Sequence, residues 1–182
     1  MKIYLLRHEI RNLRNPTFYS PLLDEGVDNS EKLKYIIKDL NIDIIYSSPF
    51  KRVLQTIKPF YDTYYNSKIN IEYSLYEQIS KHENVDINFD ENDYKKDLMP
   101  NDEEYYMKNQ KYISYLSLDK IEFNNNTQKR VDNFINFIIK KHGSNNENIL
   151  LASHEGIIKQ ILHSKSSYPM GGLCLFYNNN SI

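Results

Sequence analysis

The chain has 182 residues, of which 40% are hydrophobic and 26% charged, with a net charge of −1. That length suits one domain with a full core, and the balanced charge supplies no field to recruit nucleic acid or an acidic membrane. No stretch is apolar enough to span a bilayer, the amino terminus enters a strand without signal-peptide architecture, and the single cysteine excludes an intramolecular disulfide; a cytoplasmic protein is expected.

The first element is a continuous apolar run, Lys2–Leu6, short and β-favouring, as expected of a strand buried on both faces. A polar loop punctuated by Pro16 and Pro21 follows. Leu33, Ile36, Ile37 and Leu40 then fall at helical spacing, with Asp28, Asn29 or Ser30 as the cap. Ile42–Tyr46 reads as a second buried strand, ended by Ser47-Ser48-Pro49. A helix opens at that proline, striped by Val53, Ile57, Phe60 and Tyr64, and Pro59 is expected to kink or shorten it. Ile69–Tyr73 alternates like a third strand.

Residues 74–126 lose periodicity and accumulate acidic and asparagine residues, with one helix expected near Asp102–Leu116. This stretch reads as a lid-like insertion over the crevice, within a single domain spanning 1–182. Order returns at Thr127, a cap for a helix striped by Val131, Phe134, Ile135 and Ile138. That helix ends at Lys140-Lys141-His142-Gly143, with basic residues at the negative dipole end and a glycine for the turn. Ile149–Ala152 is the fourth strand, Gly156–His163 a helix and Leu173–Tyr177 the last strand, with Cys174 expected as a small core residue. Strands alternating with helices predict a three-layer α/β/α sandwich around a mostly parallel sheet.

Three polar clusters fall at predicted strand ends: Arg7-His8, Ser47-Ser48-Pro49-Phe50-Lys51-Arg52 and Ser153-His154. In an open α/β sheet, ligands bind in the crevice beyond the strand carboxyl ends. Two guanidinium groups and two imidazoles gathered there can cage a tetrahedral phosphoryl group, helped by the amino termini of the helices that follow.

Leu5-Leu6-Arg7-His8, Pro21-Leu22-Leu23-Asp24-Glu25-Gly26, Tyr46-Ser47-Ser48-Pro49-Phe50-Lys51-Arg52-Val53-Leu54-Gln55-Thr56 and Ser153-His154-Glu155-Gly156 occur in family order. On those four motifs the chain resembles the histidine phosphatase superfamily, in its phosphoglycerate-mutase-like branch. The resemblance implies that His8 is the nucleophile that accepts the phosphoryl group, that Arg7 and Arg52 bind phosphate, and that His154 hydrogen-bonds the phosphoryl oxygens. It also implies a carboxylic acid that protonates the leaving oxygen. Glu77, in Leu75-Tyr76-Glu77, fits that setting, with Glu83 the second candidate.

The chain departs from the pattern after the nucleophile, where Glu9 replaces a residue that is usually small and Ile10-Arg11 replaces the usual continuation. Neither Asn12 nor Asn15 stands in register with the family asparagine. The leading expectation is a metal-independent and cofactor-independent phosphomonoesterase acting through phosphohistidine on a small phosphorylated substrate or a phosphoprotein. A phosphoglycerate-mutase-type transferase and a phospho-ligand or protein-binding module on the same fold are the alternatives. A His–His zinc site is the competing reading of the histidines; no HExxH pair or cysteine ligand set supports it, and the adjacent arginines repel a cation.

Overall fold

Strand and helix alternate along the chain: β1 (Lys2–Arg7), α1 (Asp24–Lys38), β2 (Ile44–Ser47), α2 (Lys51–Tyr64), β3 (Ile69–Ile71), a 3-10 turn at Tyr73–Leu75, α3 (Thr127–His142), β4 (Asn148–Ser153), α4 (Glu155–Ile161) and β5 (Leu173–Asn178). The computed structural model describes residues 1–12, 20–65, 69–77 and 127–178. Glu83, Asn15 and the helix expected near 102–116 lie outside them. Among the described residues no helix is long and apolar enough to cross a membrane.

The strands form one sheet in the order β3-β2-β4-β1-β5. All neighbouring pairs are parallel except β1 and β5, which run antiparallel. The two-residue side-chain period divides the core into two layers. Tyr4 and Leu6 of β1 and Leu150 and Ala152 of β4 face α1 and α2, packing on Leu33, Ile37, Val53, Ile57 and Phe60. Ile3, Leu5, Ile149 and Leu151 face the opposite side, against Val131, Phe134 and Ile138 of α3 and Ile157, Ile158 and Ile161 of α4. Each fully buried aliphatic side chain contributes about 1.5–3 kcal/mol relative to exposure, so both layers are needed to hold the sheet. The result is the α/β/α sandwich with a mostly parallel sheet.

Several local expectations are corrected. Helix α1 begins at Asp24, four residues before Asp28, with Asp24 and Glu25 in its first turn and no side-chain cap. Ser30 lies inside it, buried, and its hydroxyl donates to the Gly26 carbonyl at 2.8 Å. Helix α2 runs through Pro59 to Tyr64, so the proline does not end it. Gly143 closes α3 by donating to the Ile139 carbonyl at 2.8 Å, with no positive φ. A Cβ there would lie 2.4 Å from that carbonyl oxygen, so close approach is what demands glycine. Cys174 is half-buried on the edge strand β5 and not in the core.

Candidate active site

Strand register brings the site together. Because β1 and β4 are parallel neighbours with Arg7 opposite Ser153, both strands end at the same level. The His8 N–H donates to the Ser153 carbonyl at 3.0 Å, which sets His8 and His154 side by side, their ring centroids 5.3 Å apart. Ser47 of β2 lies opposite Ala152, so Ser48 and the start of α2 enter from the other flank of β4. Arg52 sits in the first turn of α2, only 2% exposed, with its guanidinium 4.5 Å from the centre of the Phe50 ring. A surface arginine reaching for solvent is therefore not what this position holds.

His8 is oriented by its own backbone. Its Nδ1 lies 2.7 Å from the Glu9 carbonyl oxygen, which can only accept, so the proton belongs on Nδ1. Nε2 is left with a lone pair, and Arg52 Nε donates to it at 3.3 Å. Burial first, then the Arg52 and Arg7 charges, hold the imidazole pKa down to about 3. His154, fully buried, is pushed well below the usual histidine range by the same burial and by Arg52. Its Nε2 lies 2.8 Å from Ser48 Oγ. Its Nδ1 faces Glu77 Oε2 at 3.2 Å and Arg52 Nη2 at 3.3 Å. With the proton on Nδ1, the ring donates to Glu77 and the rotatable Ser48 hydroxyl donates to Nε2.

Arg7 closes one side. Its Nη1 pairs with Glu155 Oε2 at 3.0 Å and also donates to the Tyr168 carbonyl. Burial lowers the guanidinium pKa against the pull of Glu155. Its Nε is buried and has no hydrogen-bond partner among the described residues. A buried orphan donor is costly unless something accepts from it, and an incoming anion would.

Glu9 enters the site through its backbone. Its N–H donates to Thr56 Oγ1 at 3.0 Å while its carbonyl holds His8. Its buried carboxylate accepts from the Ile10 N–H at 3.3 Å and packs on Gly171, whose φ is +63°. A Cβ at Gly171 would lie 1.8 Å from Glu9 Oε1, so a side chain there could not share the space.

His8, Glu77 and His154 present three potential ligand atoms within 4.8 Å of one another. Arg52 already lies against all three, at 3.3 Å from each imidazole and 3.7 Å from Glu77 Oε2. A metal ion would have to share that space with a guanidinium, and the arrangement fits an anion better. All five residues expected at the site are thus brought together: Arg7, His8, Arg52, Glu77 and His154. Ser48 and the Glu9 carbonyl were not expected to orient the histidines. Ser48 stands in the motif that runs from Tyr46 to Thr56, but a carbonyl carries no sequence signal.

A crevice beyond the carboxyl ends of a parallel sheet is thus lined by two buried imidazoles, a buried guanidinium and a half-buried one. The chain belongs to the histidine phosphatase superfamily (branch 1), whose family model matches residues 3–180. Among solved structures, the ecdysone phosphate phosphatase of Bombyx mori, in complex with tungstate, superposes with a TM-score of 0.71 at 15% identity, covering 96% of this chain and 88% of that one. Phosphoglycerate mutase from Bacillus anthracis gives 0.66 at 16% identity, with 96% and 86% covered. A variant phosphoserine phosphatase from Entamoeba histolytica, in complex with phosphoserine, gives 0.59 at 18%, with 96% and 89% covered. At these identities the likeness is one of fold. No curated protein matches the sequence.

Proposed function

We propose that the chain is a phosphomonoesterase that passes the phosphoryl group through His8. The observation that carries this reading is the His8 Nε2 lone pair, fixed by the Glu9 carbonyl behind the ring and kept unprotonated by burial and Arg52. In the first step Nε2 attacks phosphorus and the bond to the ester oxygen breaks, while Glu77 in its acid form gives that oxygen a proton. In the second step Glu77, now a carboxylate, takes a proton from water as its oxygen attacks the phosphohistidine. The P–N bond breaks and inorganic phosphate leaves. Arg7, Arg52 and His154 face the equatorial oxygens, where the transition-state charge spreads.

The related structures include enzymes named for ecdysone phosphate, phosphoserine and phosphoglycerate, which supports a small phosphorylated substrate. In this reading residues 1–182 are one domain, and 74–126 are an insertion whose first residues, through Glu77, line the site. Rapid quenching with phosphorus-labelled substrate should trap acid-labile, alkali-stable label on the protein, absent from His8→Ala. Inorganic phosphate should be released without any acceptor, which separates hydrolysis from a mutase. Label retained by His8→Ala would overturn the assignment.

A further inference from the structure

The turn that delivers Glu77 is fastened from three directions. The Glu72 N–H donates to the Ser47 carbonyl at 2.8 Å, and the fully buried Glu72 carboxylate accepts from the Ser74 N–H at 2.8 Å. Ser153, beside His154, donates its hydroxyl to the Leu75 carbonyl at 2.7 Å. The third fastening is Arg130, in the first turn of α3. Its Nη1 donates to the Tyr73 carbonyl at 3.3 Å and its Nη2 to the Tyr76 carbonyl at 2.9 Å. One planar guanidinium thus spans both ends of the turn, a geometry that lysine cannot reproduce. Arg130 also joins the two ends of the 78–126 segment, since Glu77 precedes it and α3 follows it.

We propose that Arg130 is the positioning residue for Glu77, holding the carboxyl group at the distance from His154 and Arg52 that proton transfer requires. The inference rests on the reading of Glu77 as proton donor. Arg130 touches carbonyls and not the reacting atoms, so its effect must pass through the turn. Its charge also acts on the site: burial lowers its pKa to about 10, opposed first by attraction to Glu77. An apolar replacement would leave two carbonyls without their guanidinium and Glu77 on a slackened tether. Misplacement of about 1 Å can cost roughly 10²-fold in rate.

The test compares kcat/KM, which reads the reaction only as far as the phosphohistidine, for an alkyl phosphate, glycerol 3-phosphate, and for 4-nitrophenyl phosphate, whose phenolate leaves without a proton. Wild type, Arg130→Met, Arg130→Lys, Glu77→Gln and the Arg130→Met/Glu77→Gln double variant are measured, each with its melting temperature. Arg130→Met should lose about 10- to 100-fold in kcat/KM on the alkyl substrate and little on the aryl one. Arg130→Lys should recover part of the loss, and the double variant should be no slower than Glu77→Gln alone. Equal losses on both substrates, or a double variant slower by the full Arg130→Met factor, would overturn the inference. If Arg130→Met does not fold, Arg130→Lys carries the same comparison. Glu77→Gln without a selective loss would instead strike the proton-donor reading itself, and this inference with it.

Discussion

Strand β4 carries a buried histidine cluster at each end, and the two are built on opposite principles. Before its first residue, His142 lies between Tyr46 OH at 3.0 Å and Glu147 Oε2 at 2.8 Å, with Asn145 donating to the same carboxylate oxygen at 3.2 Å. Beyond its last residue, His154 and His8 both face the guanidinium of Arg52, with Arg7 close by. The first cluster matches donors to acceptors and is complete as it stands. The second gathers cations and leaves Arg7 Nε without an acceptor among the described residues. Glu77 and Glu155 already stand beside Arg52 and Arg7, and the Arg7 Nε is the donor that this end of the strand leaves over among the described residues. The same residue type, buried at both ends, meets a hydroxyl and a carboxylate at one end and a guanidinium at the other.

The sharpest way to break that contrast is to mutate one member of each cluster. Arg52→Met should lower kcat/KM by about 10²–10³-fold, the usual loss for a donor aimed at developing negative charge. Its effect on the melting temperature should be small, because a desolvated guanidinium leaves as an apolar side chain of similar length arrives. His142→Phe should do the reverse, removing the ring shared by Tyr46 and Glu147 for a loss of about 1–3 kcal/mol in urea unfolding. Its kcat/KM should stay at the wild-type value. A harmless Arg52→Met beside an inactive but stable His142→Phe would invert the comparison.

Anion binding offers a second, slightly smaller effect. Vanadate or phosphate should raise the melting temperature of the wild-type protein, by the equivalent of about 2.7 kcal/mol at a hundred times the dissociation constant. His142→Phe should keep the whole increment over its own baseline, and Arg52→Met should lose most of it. An increment that survives in Arg52→Met would put the anion elsewhere.

Much of this was legible in the sequence, and the exceptions have physical reasons. The buried strands announce themselves because parallel strands covered on both faces are apolar without interruption, as in Ile3–Leu6 and Ile149–Ala152. His8 and His154 stand out because polar residues directly follow those runs. The start of α1 lies before its expected caps because Asp28 and Ser30 are cap-forming residue types, whereas both lie within the helix and Ser30 back-bonds to Gly26. Arg130 carries no signal beside the apolar stripe of α3, since its carbonyl partners lie in a turn more than fifty residues earlier in the chain. The Glu9 carbonyl that sets the His8 tautomer was invisible for a simpler reason: it is backbone, and any residue would supply it. Side-chain chemistry could be read in advance, whereas the contacts that aim it needed the fold.

The smallest expected effect is on stability in mild acid, and its sign follows from the direction of the shift. His8 takes a proton near pH 6.5 in the unfolded chain but only near pH 3 in the folded one. Between those values the unfolded chain binds more protons, so stability falls as pH is lowered through the window and is flat above it. His154 acts in the same direction. Each such histidine contributes a slope of about 1.4 kcal/mol per pH unit at most. Urea unfolding between pH 6.5 and 5 isolates the effect, because ordinary carboxylates remain largely ionised there. The slope should shrink in His8→Asn, which cannot take the proton, and persist in His142→Phe, where the other cluster has been removed. Phosphate should offset part of the loss at pH 5.5, its charge standing where the two rings and Arg52 need an anion. An unchanged slope in His8→Asn would mean that the acid sensitivity lies outside this crevice, and a slope abolished by His142→Phe would assign it to the other end of β4.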